Sequence, residues 1–135
     1  MTSTTVFMSY SHADREWAEL IRKFLVKQGF DVMMGVYSIG VGDSFIHEME
    51  RAIEDADIVL ILMSPQYFAS KWTYNELALA ATKEIPLIPV MIEPCEVSGL
   101  LSIYHHADLT SDREAGLRLI AEAISRLSEH KAEIS

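Results

Sequence analysis

Six consecutive apolar residues, Ile58-Val59-Leu60-Ile61-Leu62-Met63, constrain this chain more than any other feature. Side chains along a strand alternate between two faces, so a strand with one wet face alternates apolar and polar residues. Here neither face can meet water. The run is also far short of the ~20 apolar residues that a membrane-spanning helix needs. It reads as a central strand of a parallel sheet, with helices packed on both sides. The preceding sequence agrees. Val6-Phe7-Met8 is a short strand, and Trp17, Leu20, Ile21, Phe24 and Leu25 then recur at i, i+3, i+4, i+7 and i+8, one face of a helix. Ser11 with Asp14 three residues later predicts the cap of that helix, and Gly29 stands where a left-handed C-terminal cap is wanted.

Phe30–Met34 is a second strand, followed by a glycine-bearing loop, Gly35 to Asp43, and a helix with Phe45, Ile46, Met49, Ile53 and Ala56 inward. After the central run come an irregular segment, Ser64–Lys71, and a helix from about Trp72 to Lys83. Ile85–Ile92 is the fourth strand, although Pro86 and Pro89 each remove a ladder donor. A strand start at Pro86 and a bulge or an unpaired side at Pro89 reconcile them. The loop Glu93–Tyr104 leads to at most a short strand at Ala107-Asp108-Leu109. Ser111 with Glu114 forms a capping-box pattern, and Leu117, Ile120, Ile124 and Leu127 stripe the last helix. The polar end, Glu129–Ser135, is expected to fray.

Five strand–helix alternations predict an α/β sandwich of three layers with a central five-stranded parallel sheet. The flavodoxin-like order 2-1-3-4-5 follows, and ligands in such folds sit beyond the carboxyl ends of the strands. The loops that matter are then Ser9–Asp14, Gly35–Ser44, Ser64–Trp72 and Glu93–Tyr104.

Length and charge narrow the function. The 135 residues suit one domain, with no internal repeat or linker. A net charge of −9 argues against general affinity for nucleic acid or anionic membrane. The single cysteine, Cys95, excludes an internal disulfide framework, and nothing near Met1 reads as a secretory signal, so a cytoplasmic location is expected. A phospho-acceptor site of this fold needs acids right after strand one and an Asp ending strand three; Ser9-Tyr10-Ser11 and Ser64 stand there instead. Gly40-Val41-Gly42 begins like a dinucleotide fingerprint, but Phe45 replaces its third glycine and no strand precedes it. The adjacent His105 and His106 lack partners at ligand spacing, so no metal site is expected.

The informative stretch is Ser64-Pro65-Gln66-Tyr67-Phe68-Ala69-Ser70-Lys71-Trp72-Thr73-Tyr74-Asn75-Glu76-Leu77. On a helix starting at Trp72, the indole and the Glu76 carboxylate share a face near the positively polarised end, a place suited to an anion or phosphate. A surface glutamate favoured by the helix dipole, above a core tryptophan, satisfies the same pattern.

Val6-Phe7-Met8-Ser9-Tyr10-Ser11 resembles the first box of Toll/interleukin-1 receptor (TIR) domains. Gly40-Val41-Gly42-Asp43-Ser44 is similar to the end of their BB loop, and Ser64…Tyr67…Ser70-Lys71-Trp72…Glu76-Leu77 to their αC region. The likeness runs from Val6 to the last helix, which makes residues 1–135 a single TIR domain, in bacterial relatives often the N-terminal effector of a longer anti-phage defence protein. In the bacterial NAD-cleaving members, the αC glutamate is required to break the nicotinamide–ribose bond. By position it is Glu76, with Asp43 a weaker second carboxylate.

The chemistry is consistent with that role. Departing nicotinamide leaves an oxocarbenium-like ribose, which a nearby carboxylate stabilises. Tyr10 or Trp72 offers a flat partner for the nicotinamide ring, and Ser9, Ser11 and Ser44 offer donors to phosphate. Where eukaryotic relatives often carry Arg after the first-box Tyr, this chain has Ser11 and His12, leaving His12, Arg15 or Lys71 as the cationic candidates.

The resemblance thus implies an NAD+ glycohydrolase, with NAD+ as substrate and no cofactor, forming nicotinamide and either ADP-ribose or a cyclic isomer. It also implies self-association through Gly35–Ser44 and a fused or partner sensor domain. Two alternatives stay open: a TIR module that only assembles with other TIR domains in signalling, and a nucleoside-processing enzyme of similar architecture.

Overall fold

The computed structural model describes residues 4–34, 54–69, 85–97, 101 and 105–134. Its strands are β1 (Thr5–Ser9), β2 (Asp31–Met34), β3 (Ile58–Met63), β4 (Leu87–Met91) and β5 (Ala107–Asp108). The helices among the described residues are α1 (Arg15–Lys27), α2 (Pro65–Ala69) and α3 (Arg113–Ile134), with a 3-10 turn at His12–Asp14. The sheet is parallel throughout, in the order β2-β1-β3-β4-β5. The predicted topology is the observed one.

β3 has every residue buried, and its alternation divides the core in two. Ile58, Leu60 and Leu62 join Val6, Met8, Ile88 and Val90 beneath α1 and α3, which contribute Ala18, Ile21, Leu25, Leu117, Ile120 and Ile124. Val59, Ile61 and Met63 face the other way, against Phe7, Leu87 and Tyr67 of α2. Burying a Val, Leu, Ile or Met side chain is worth about 1.5–3 kcal/mol, so this one strand anchors both layers.

Local signals explain most element ends. Helix α1 closes in a Schellman motif: the Gly29 N–H reaches the Val26 carbonyl at 3.0 Å and the Phe30 N–H the Leu25 carbonyl at 3.2 Å. Gly29 has φ 96°, the left-handed conformation that only glycine adopts without strain. Pro89 sits in continuous register opposite Ile61, without a bulge. Backbone bonds link Pro86 and Ile92 to β3 and Met91 to the β5 side, so alternation turns Pro89 toward β5. The β5 pairing begins only at Val90, which leaves Pro89 on an unpaired side.

Two expectations need correction. Ser11 caps the 3-10 turn, accepting from the Ala13 N–H at 3.3 Å, and α1 begins only after Asp14. At the last helix the cap is Asp112, whose carboxylate accepts the Ala115 N–H at 3.1 Å. The neighbouring Asp108 carboxylate is taken by Thr110, accepting its N–H at 2.8 Å and its hydroxyl at 2.5 Å. Past Glu129, where fraying is expected, α3 runs on to Ile134. The expected helices over Phe45–Ala56 and Trp72–Lys83 fall largely outside the described residues. Among those that are described, no helix is long and apolar enough to cross a membrane.

At Gly116, α3 packs tightly against the end of β5. A Cβ there would meet Leu109 Cδ2 and lie 2.9 Å from the Asp108 carbonyl oxygen. Gly116→Ala gains about 1 kcal/mol of helix propensity but suffers an overpacking cost of about 1–3 kcal/mol. The expected net result is a lower urea midpoint; an unchanged or higher one would show that α3 has room to move.

Candidate active site

The apolar interior ends abruptly at the carboxyl edge of the sheet. Ser9 closes β1 and Ser64 follows β3, and both are wholly buried. Buried hydroxyls need partners. The Ser9 hydroxyl has the Tyr67 hydroxyl at 3.0 Å. Ser64 accepts the Tyr67 backbone N–H at 3.1 Å, which makes it the N-cap of α2, with Pro65 in the first helical position.

Asp14 completes this layer. Although it precedes α1 directly, it makes no capping bond there. Its side chain turns inward until the residue is 3% exposed. Oδ2 accepts the Ser64 hydroxyl at 2.5 Å, and Oδ1 accepts Gln66 Nε2 at 2.9 Å. The same Gln66 nitrogen lies 3.3 Å from Glu93 Oε1, beyond the end of β4. Three of the four connections that topology singles out thereby meet: the β1–α1 turn, the start of α2 and the β4 exit.

Burial raises the Asp14 carboxyl above its ordinary range, and the negative charge of Glu93 adds to this; the hydrogen bonds from Ser64 and Gln66 oppose it. Beyond β4, burial and the Glu93 charge also push the Cys95 thiol up, away from the reactive thiolate. Among the described residues no group of three or more His, Cys, Asp or Glu side chains could hold a metal ion.

The expected site residues distribute unevenly. Ser9, Tyr10 and Ser11 stand together on the β1–α1 turn, all buried, with Tyr10 belonging to the α1-side core. Asp43, Ser44, Trp72 and Glu76 lie outside the described residues, as do Gly42 and Lys71. Sequence reasoning treated Asp14 only as a cap and passed over Gln66 and Glu93. The Ser64-Pro65 pair, a cap followed by a first-turn proline, was the local signal for α2.

A family model for the TIR domain matches residues 6–121. The chain belongs to the TIR domain family. Its relatives include the uncharacterized protein y4lF of Sinorhizobium fredii (strain NBRC 101917 / NGR234), 30% identical over 111 residues, spanning 76% of this chain and 32% of that protein. The NAD(+) hydrolase TirS of Staphylococcus aureus (strain MSSA476) is 29% identical over 90 residues, 66% of this chain and 32% of its own length. This TIR domain therefore spans about a third of the curated relatives that it matches. Among solved structures, the TIR domain of the Toll-related receptor TRR-2 from Hydra magnipapillata superposes with a TM-score of 0.77 at 25% identity, over 89% of this chain and 97% of that one.

The raised Asp14 carboxyl gives a signed expectation. Because the folded protein holds this proton to higher pH than the unfolded chain, folding takes up a proton between the two titration ranges. The stability gained from that linkage is present at low pH and lost as pH rises through the folded value. Asp14→Asn removes it. The variant is expected to lie within about 1 kcal/mol of wild type, or above it, at neutral pH. In urea titrations the wild type should gain on the variant as the solution is made mildly acidic; a wild type that gains with rising pH would contradict the assignment.

Proposed function

We propose that this TIR domain is an NAD+ glycohydrolase, cleaving the bond between nicotinamide and ribose. The observation that carries the reading is its 29% identity to an NAD(+) hydrolase, in a chain that has Glu76 four residues after Trp72 in the stretch resembling the αC region. The polar loops that leave the carboxyl edge, where ligands of such folds sit, support it.

In the proposed reaction the C1′–N bond breaks and its electron pair goes to the pyridinium nitrogen, so nicotinamide leaves neutral. Glu76, near C1′ and the ribose hydroxyls, stabilises the positive charge left on the ribose. Water then forms the new C1′–O bond and loses a proton to solvent, giving ADP-ribose; attack by a nucleophile of the ADP-ribose itself gives a cyclic isomer. Trp72 or Tyr10 flanks the nicotinamide ring, while Ser11, Asp43 and Ser44 line the substrate path above the buried Ser9. No cofactor enters the balance.

Self-association through Gly35–Ser44 belongs to the same reading, with a fused or partner sensor domain clustering the TIR domains in a cytoplasmic defence response. Head-to-tail contacts of this sort do not close and grow into arrays. The charge of −9 opposes such packing, and salt weakens the opposition.

Two outcomes test these proposals. Glu76→Ala is expected to lower nicotinamide release by at least about a hundredfold while the circular dichroism spectrum stays that of the wild type. Wild-type turnover in the folded variant would remove Glu76 from its role. Separately, activity per molecule should rise with protein concentration, and Gly42→Leu should suppress the rise. Constant activity from a strictly monomeric protein would exclude assembly as the activating step. An assembly-only module would form arrays and leave NAD+ intact.

A further inference from the structure

Asp14 departs from what its position favours. A carboxylate preceding a helix ordinarily accepts one of the first free N–H groups, worth about 1 kcal/mol. Asp14 forgoes that bond and enters the interior, where burial works against its charge. Such local departures are expected where a constraint elsewhere in the fold outweighs them.

What Asp14 holds identifies the constraint. The Ser64 hydroxyl that it accepts is the one that caps α2, and the Gln66 amide that it accepts is the one that reaches Glu93. The described part of helix α2, Pro65–Ala69, lies directly over the ends of β1 and β3. Its placement comes from side-chain ties: Tyr67 to Ser9 on β1, and Ser64 and Gln66 to Asp14. In the sequence, Trp72 and Glu76 follow Ala69 after three and seven residues.

Resting on the glycohydrolase reading, we infer that Asp14 is a positioning residue for NAD+ cleavage: through Ser64 and Gln66 it sets the direction of α2, from which the Glu76-bearing stretch departs. Asp14 itself touches no reacting atom. A displacement of about 1 Å in a catalytic group can cost on the order of a hundredfold in rate, so a loosened α2 appears in turnover before it appears in folding.

The two substitutions at this position separate a hydrogen-bonded tie from a need for charge. Asn retains both connections when the Ser64 hydroxyl turns round: its Nδ2 donates to Ser64 Oγ and its Oδ1 accepts from Gln66. Ala retains neither. The experiment measures kcat and KM for nicotinamide release by wild type, Asp14→Ala, Asp14→Asn, Ser64→Ala and Gln66→Ala, well below the lowest thermal midpoint of the set. Asp14→Ala is expected to lower kcat by about ten- to a hundredfold with KM within about threefold of wild type. Asp14→Asn should restore kcat to within about threefold, and Gln66→Ala, at a half-exposed residue, should lose less than Asp14→Ala.

A folded Asp14→Ala protein with wild-type kcat overturns the inference, as does a loss confined to KM. An Asn variant as slow as the Ala variant overturns it too, because charge would then matter and not the tie. If Asp14→Ala fails to fold, Ser64→Ala and Gln66→Ala decide: lowered kcat in both supports the tie, and wild-type kcat in either overturns it. A wild-type protein that releases no nicotinamide, even when assembled, fails the glycohydrolase reading itself and takes this role with it; that result is distinct because it appears before any substitution is made.

Discussion

The whole architecture depends on a strand that has no face to offer to water. Ile58–Met63 is buried at all six positions, and the only arrangement that hides both faces is a sheet covered by helices on each side. Everything else follows from meeting that demand. Strands β1 and β4 flank β3 because a central strand also needs both hydrogen-bonding edges paired. Helices α1 and α3 turn their apolar stripes to one face, and Tyr67 of α2 lies against the other.

The same constraint makes the carboxyl edge chemically distinctive. Where β1 and β3 stop, the chain has to pass from an interior without polar side chains to loops with many. Ser9, Ser64, Asp14 and Tyr67 occupy that boundary, buried and mutually bonded. A half-satisfied polar layer would cost more than an apolar one. Hydrogen bonds between residues from separate elements satisfy this one, so it also registers those elements against one another. A fold of this type can thus keep an invariant sheet and hold a defined set of loops above it.

The legibility of the sequence followed the range of the interactions. Strand order and core faces were readable because alternation and helical stripes are local patterns: Leu117, Ile120 and Ile124 are buried as their spacing implies, and Gly29 caps α1 as its position implies. The start of α2 escaped, because Pro65–Ala69 shows no apolar period. The cap expected at Ser111 lies one residue on, at Asp112, and a shift of one residue is finer than the capping pattern can resolve. At the carboxyl edge, the first-box residues Ser9, Tyr10 and Ser11 were named by resemblance. Asp14 was not, because its partner Ser64 stands 50 residues away, and a pairing at that distance leaves no local trace.

The central claim is that the ligand surface lies at the carboxyl edge of β1, β3 and β4, over the Asp14–Ser64–Gln66–Glu93 layer. Its most direct test is a titration of isotope-labelled Glu76→Ala protein with NAD+, followed through backbone amide chemical shifts. The account expects saturable shifts concentrated in Ser9–Asp14, Ser64–Ala69 and Ile92–Glu93, with Val26, Leu119 and the rest of the outer helical surfaces unmoved. Shifts confined to α1 and α3, or an unperturbed spectrum at millimolar NAD+, would contradict it.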